Sequence, residues 1–143
     1  MFELIEKSRS GLLQVLYEKN GDKIGSGSAF LIENGMVTNS HVLRPGDIDA
    51  ILIRPADTDP FDPASYIRLL PDTMYKLILA ESPKCNRDFA IVDLNEPELK
   101  NCYRFPIELD PEPKVGQKCL FMGFPFGLPH LTAHIGYISS IFT

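Results

Sequence analysis

The chain has 143 residues, 44% of them hydrophobic and 23% charged, with a formal net charge of −5. That length buries a real core as one domain or one and a half, and the composition excludes a disordered chain. The acidic balance, with no cluster of Lys and Arg, argues against nucleic acid as a partner, and no apolar run is long enough to span a membrane.

The N-terminal stretch MFELIEKSRSGLLQVLYEKNG carries acids near its start and no long apolar run. It does not read as a signal peptide, so a cytoplasmic location is expected. Phe2 to Ser8 suits a short helical turn, and Leu12 to Tyr17 alternates as a strand with Asn20-Gly21 turning behind it. Ile24 to Ile32 and Met36 to Asn39 read as a hairpin about Asn34-Gly35, where both turn residues are expected to take positive φ. Gly25 and Gly27 inside the first of these strands predict a bend or a close backbone contact. His41 stands just past the second strand, where a rigid sheet can aim a side chain into a cleft. Ala50 to Arg54, Tyr66 to Leu70, Met74 to Ala80 and Phe89 to Leu94 are further predicted strands. The last is apolar except for Asp93, as in a strand buried on much of both faces, and Asp88 stands at its mouth.

Residues 55–65, PADTDPFDPAS, read as a solvated loop. Its aspartates lack the glycine bend and terminal Glu of a calcium loop. Cys85, Cys102 and Cys119 are widely spaced, with no paired-cysteine or Cys/His ligand pattern, so free thiols in or near the core are expected. No metal or other cofactor is expected. Residues 95–114 hold four prolines and read as an extended linker, after which Lys118 to Phe124 and Leu131 to Phe142 form two more strands around PFGLPH. Short strands with turn signals and little helix indicate an all-β barrel or sandwich.

Several segments together resemble the trypsin-like, chymotrypsin-fold serine peptidases, and most closely their HtrA (Deg) branch. Gly25-Ser26-Gly27-Ser28-Ala29-Phe30 is similar to that family's GSG segment, and Val37-Thr38-Asn39-Ser40-His41-Val42 to its motif around the catalytic histidine. Arg87-Asp88-Phe89-Ala90-Ile91-Val92 is similar to the motif around the catalytic aspartate. Val115-Gly116-Gln117, Gly123-Phe124-Pro125-Phe126-Gly127 and Ile135-Gly136-Tyr137-Ile138-Ser139-Ser140 resemble the start of the second barrel. The resemblance implies a six-stranded antiparallel barrel over 1–94, a linker over 95–116 and the first strands of an incomplete second barrel over 117–143. It implies His41 as general base and Asp88 as the acid that orients it, with a protein or peptide as substrate. Val42 stands where secreted trypsins carry a cysteine, which fits a disulfide-free version.

The family's nucleophile lies in a G-x-S-G-G loop, and residues 1–143 contain none. Ser139 and Ser140 lack the flanking glycines and are not promoted to nucleophile, and His130 and His134 match no catalytic position. The 143 residues alone are therefore expected to be inactive, a triad being more than its base and acid. A non-catalytic interaction module on the same fold is the principal alternative. A cysteine nucleophile fails because Cys119 precedes the GFPFG loop, and an unrelated β-barrel requires His41 and Asp88 to lie apart. Half of a second barrel would leave strand edges and apolar surface exposed, so 117–143 is expected to pack on the first barrel or on a second copy of the chain.

Overall fold

A computed structural model describes residues 2–84, 87–108 and 112–140, without the side chain of Phe126. Helix α1 (Phe2–Ser8) leads into β1 (Leu12–Lys19), β2 (Asp22–Ile32), β3 (Gly35–Thr38), β4 (Ala50–Pro55) and β5 (Ile67–Leu69). Helix α2 (Pro71–Lys76), β6 (Ile78–Ser82), β7 (Phe89–Val92), β8 (Lys118–Gly123) and β9 (Thr132–Tyr137) follow. All pairings are antiparallel. Seven strands form one curled sheet in the order β5-β4-β1-β2-β3-β7-β6, and among the described residues β8 pairs with β9 alone. The all-β, chymotrypsin-like architecture is the one the sequence implies. The first sheet counts seven strands, the three-residue β5 falling within the strand expected over Tyr66 to Leu70.

Two local expectations are corrected. Met74 to Ala80 is not one strand, because Pro71 opens a helix through Lys76 and β6 begins only at Ile78. Proline's fixed φ and missing N–H suit the first helical turn, and Asp72 and Lys76 lie at the dipole ends that favour them. Met74, Leu77 and Ile78 all reach the core. Their spacing is helical, and strand alternation is the wrong period for it. The second correction concerns the hairpin. Ile32 pairs with Gly35, so the turn is Glu33-Asn34 and the glycine is already in β3. Gly35 has φ +153°, and a Cβ there would stand 2.1 Å from the Val92 carbonyl oxygen, so close strand approach explains the glycine. The Asn-Gly turn with positive φ at both residues is Asn20-Gly21, at 52° and 81°.

β1 is buried on both faces. Leu13, Val15 and Tyr17 enter the main core with Leu31, Met36, Ile51, Ile53 and Val92, among others. The alternate residues Leu12, Gln14 and Leu16 face the other way, as strand periodicity demands, and are buried too. What covers that second face is the β8–β9 hairpin. Phe124 is buried against Leu12 and Ala56, with Phe30, Phe105, Met122 and Leu131 around it. Gln14 lies directly opposite Arg54 on β4. Buried Arg54 donates to Gln14 Oε1 and to the carbonyls of Pro55, Thr58 and Pro129, while Gln14 Nε2 donates to the Leu128 carbonyl at 3.1 Å. A guanidinium so enclosed needs every N–H paired, and these are paired with neutral oxygens. Phe124 N also donates to Ser28 Oγ at 2.9 Å. The hairpin is thus fastened to the first sheet.

The proline-rich connector is fastened as well. Leu94 and Leu99 are fully buried, Phe105 N donates to the Leu31 carbonyl at 2.8 Å, and Arg104 Nη1 donates to the Ile32 carbonyl at 2.8 Å. Prolines set its turns, including a 3₁₀ turn at Pro97–Leu99, but its apolar residues belong to the core. In the 55–65 loop, Asp59 and Asp62 accept from the backbone N–H groups of Phe61 and Ala64. They cap turns. Cys102 and Cys119 are half-buried free thiols, Cys85 lies outside the described residues, and the strand expected to Phe142 ends at Tyr137 with 141–143 outside the description.

Replacing Phe124 tests the seam. Phe124→Ala is expected to cost about 3 kcal/mol in urea unfolding, the usual loss for a buried aromatic. Amide exchange in β8 and β9 should rise more than in β1.

Candidate active site

β3 and β7 are antiparallel neighbours, with Val37 opposite Ile91 and Thr38 opposite Ala90. The end of β3 therefore lies beside the start of β7. His41 follows the first and Asp88 precedes the second, so one strand pairing brings together residues 47 positions apart in sequence. Closure of a barrel is not required. After extended Asn39, a 3₁₀ turn over Ser40–Leu43 swings the histidine toward Asp88.

The ring Nδ1 of His41 is hydrogen-bonded to Asp88 Oδ2. The backbone N–H of His41 donates to the other carboxylate oxygen, Oδ1, at 3.1 Å. Asn39 Nδ2 donates to the Asp88 backbone carbonyl at 2.8 Å. The carboxylate is thus held at both oxygens and cannot rotate away from the ring. In the neutral tautomer that donates Nδ1–H to Asp88, the lone pair is on Nε2, and the side chain is 72% exposed. The bond from the His41 ring, then that from its backbone N–H, holds the Asp88 carboxyl below its ordinary range.

Two further anchors fix the histidine's turn. Tyr17 OH donates to the Val42 carbonyl at 2.5 Å, and burial pushes the phenol up to about 12. Space for this anchor comes from β2. A Cβ on Gly27 would meet Val42 at 2.8 Å, and one on Gly25 would meet the Tyr17 ring at 3.0 Å. The close approach expected at these glycines is an approach of side chains carrying the His41 turn. On another side, Ser40 Oγ donates to Glu81 Oε2 at 2.6 Å, and Arg44 donates to both oxygens of Glu81 at 2.9 and 2.6 Å. Arg44, then Ser40, lowers Glu81 from its ordinary 4.5 to about 2.

A cavity of about 260 Å³ opens beside Asp88 between the first sheet and β8, lined by Leu12, Ser28, Phe30, Thr38, Phe89 and Met122, among others. Among the described residues no serine hydroxyl is hydrogen-bonded to His41, and no group of three or more His, Cys, Asp or Glu stands ready for a metal. His130 and His134 are exposed on and near the β8–β9 hairpin, and Ser139 and Ser140 are exposed beyond the end of β9. Sequence reasoning did not single out Tyr17, Asn39, Ser40, Arg44 or Glu81. Asn39 and Ser40 lie inside the histidine's own segment and were open to suspicion there. The other three act across elements, and no local pattern marks them.

Both carboxylates bind protons less readily when folded than when unfolded. Their stabilisation is complete above the ordinary carboxylate range, near pH 4; it is lost below that range for Asp88, and for Glu81 as pH falls toward about 2. Thermal melts between pH 7 and 2 should therefore show a shallower acid decline in Glu81→Gln and in Asp88→Asn than in the parent chain. Tyr17→Phe, which leaves the Val42 carbonyl without its donor, is expected to cost about 1 kcal/mol at neutral pH in urea unfolding.

No family model matches this sequence, and no curated protein matches it. Solved structures do. The serine endoprotease from Yersinia pestis is similar over 97% of this chain and 44% of its own, with a TM-score of 0.69 and 20% identity. Two structures of the HtrA-type protease AlgW with a tripeptide are similar over 95% of this chain and 38% of theirs, each with a TM-score of 0.66 and 20% identity. The chain thus spans less than half the length of these proteins. Over nearly all of its own length it shares the fold of the HtrA-type serine proteases.

Proposed function

We propose that this chain carries the histidine and aspartate of a Ser-His-Asp peptidase site and that its function is peptide-bond hydrolysis. The observation that carries the reading is the two-point hold of His41 on Asp88, through ring and backbone to separate carboxylate oxygens. A serine hydroxyl is a poor nucleophile until a base takes its proton. His41 Nε2 is free to take that proton and to return it to the leaving amine, while Asp88 keeps the ring in the Nδ1–H tautomer and stabilises the imidazolium. Asp88 stays ionised throughout, in keeping with its lowered pKa. A protein or peptide is the substrate class that follows from this chemistry.

The serine and the oxyanion donors are not supplied by residues 1–143, which hold no G-x-S-G-G segment. Alone, these residues are expected to turn over no peptide, since losing even one oxyanion donor costs roughly a hundredfold. A second reading, a non-catalytic interaction module on the same fold, is favoured by one feature. β9 presents Ile135 and Tyr137 to solvent on one face at 53% and 67% exposure, and β8 presents Phe121 on the other at 58%, apolar surface suited to another polypeptide.

A fluorophosphonate probe applied to the protein expressed from its complete gene separates the two. Labelling that disappears in His41→Ala is the expected result. A folded protein that takes no label overturns the peptidase reading in favour of the module.

A further inference from the structure

The turn that carries His41 makes few bonds of its own. Val42 N donates to the Asn39 carbonyl at 3.1 Å and Arg44 N to the His41 carbonyl at 3.2 Å. Such 3₁₀ geometry is weaker than an α-helix and takes its shape from what surrounds it. Asp88 and Tyr17 hold it at the His41 ring and amide and at the Val42 carbonyl. The residue before the histidine and the residue three after it remain, and both converge on the single carboxylate of Glu81.

We infer that Glu81 is a positioning residue for His41, its carboxylate clamping the turn at Ser40 and Arg44 and so fixing the direction from which the imidazole meets Asp88. The inference takes its purpose from the peptidase reading, but its geometry is independent of it. A fork of two parallel N–H···O bonds from Arg44, with a hydroxyl bond beside it, is the most directional arrangement a carboxylate accepts. The guanidinium is itself steadied by the Tyr75 ring of α2, 5.0 Å away. Glu81 faces Arg44, Ser40 and, at longer range, Asp88. It lies on β6, an edge strand of the seven-stranded sheet, opposite Ala90 and thus two residues along β7 from Asp88. The β6–β7 pair therefore carries both the acid and the clamp on the base's turn. Arg44 is half exposed, and ion pairs of that kind contribute little to global stability. What this one contributes is direction, and displacements of about 1 Å at a reacting group cost about a hundredfold in rate.

The test is NMR of the 143-residue chain. Three readouts are followed: the His41 Nδ1–H resonance, exchange of the His41 amide that donates to Asp88, and the acid titration midpoint of Asp88. Glu81→Ala is expected to speed that amide exchange at least tenfold, to broaden the Nδ1–H resonance and to move the Asp88 midpoint up toward the ordinary carboxylate range, the weakened His41 bonds outweighing the downward pull from removing the like charge of Glu81. Glu18→Gln serves as the matched control, because Glu18 accepts a comparably exposed pair from Arg68. It should change none of the three. Arg44→Lys, which keeps the charge and loses the fork, should fall between parent and Glu81→Ala. If Glu81→Ala unfolds the chain, Glu81→Gln and Arg44→Lys carry the comparison. Unchanged readouts in the folded variants, with or without a lower melting temperature, overturn the inference. Because no nucleophile is involved, a failed clamp leaves the peptidase reading standing, and absent fluorophosphonate labelling leaves the clamp standing.

Discussion

The antiparallel pairing of β3 with β7 is the constraint on which the site depends. Three matched pairs, Met36 with Val92, Val37 with Ile91 and Thr38 with Ala90, set the register. A shift of one residue would turn Met36, Ala90 and Val92 out of the core, where each is almost fully enclosed. The hydrophobic effect therefore fixes a register whose by-product is polar. Once the apolar faces match, the backbone beyond Thr38 and before Ala90 emerges on the same side of the sheet, and the imidazole and carboxylate have only to be turned toward one another.

That turning is done by residues with unlike chemistries. A buried phenol from β1 meets the turn's backbone, two glycines in β2 leave room for it, and an ion pair bridges it to β6. Each anchor comes from a strand of the same sheet, so the site inherits its precision from sheet packing. The second face of β1 does comparable work for the rest of the molecule. Gln14 and Arg54 put amide and guanidinium donors where a conventional strand would show polar groups to water, and the loop after β8 supplies an acceptor to each.

Much of this was legible in the amino-acid sequence, and the failures share a cause. Alternation and turn residues located β1 to β4 within a few positions, and the segments around His41 and Asp88 told which strand ends would matter. Met74 misled because Leu77, Ile78 and Ala80 after it look equally apolar to a helix and to a strand, and only Pro71, three residues before it, tips the balance. Gly35 misled because a glycine demanded by a neighbouring strand looks the same as one demanded by a turn. The proline-rich connector hid two core leucines for a related reason: prolines mark where the chain bends, and Leu94 and Leu99 decide where it lies. Glu81 carried no local mark, since its meaning arises only when β6 is laid beside β7.

The buried seam on β1 and the mount of the imidazole are built from opposite materials. Arg54 meets only neutral oxygens out of contact with water, whereas Arg44 and Glu81 meet as ions near solvent. Dissolved electrolyte screens the second kind of contact within about 10 Å at 0.1 M and scarcely reaches the first. Brine therefore acts on this molecule selectively: it slackens the corner that holds the base and leaves the body beneath it as tight as before.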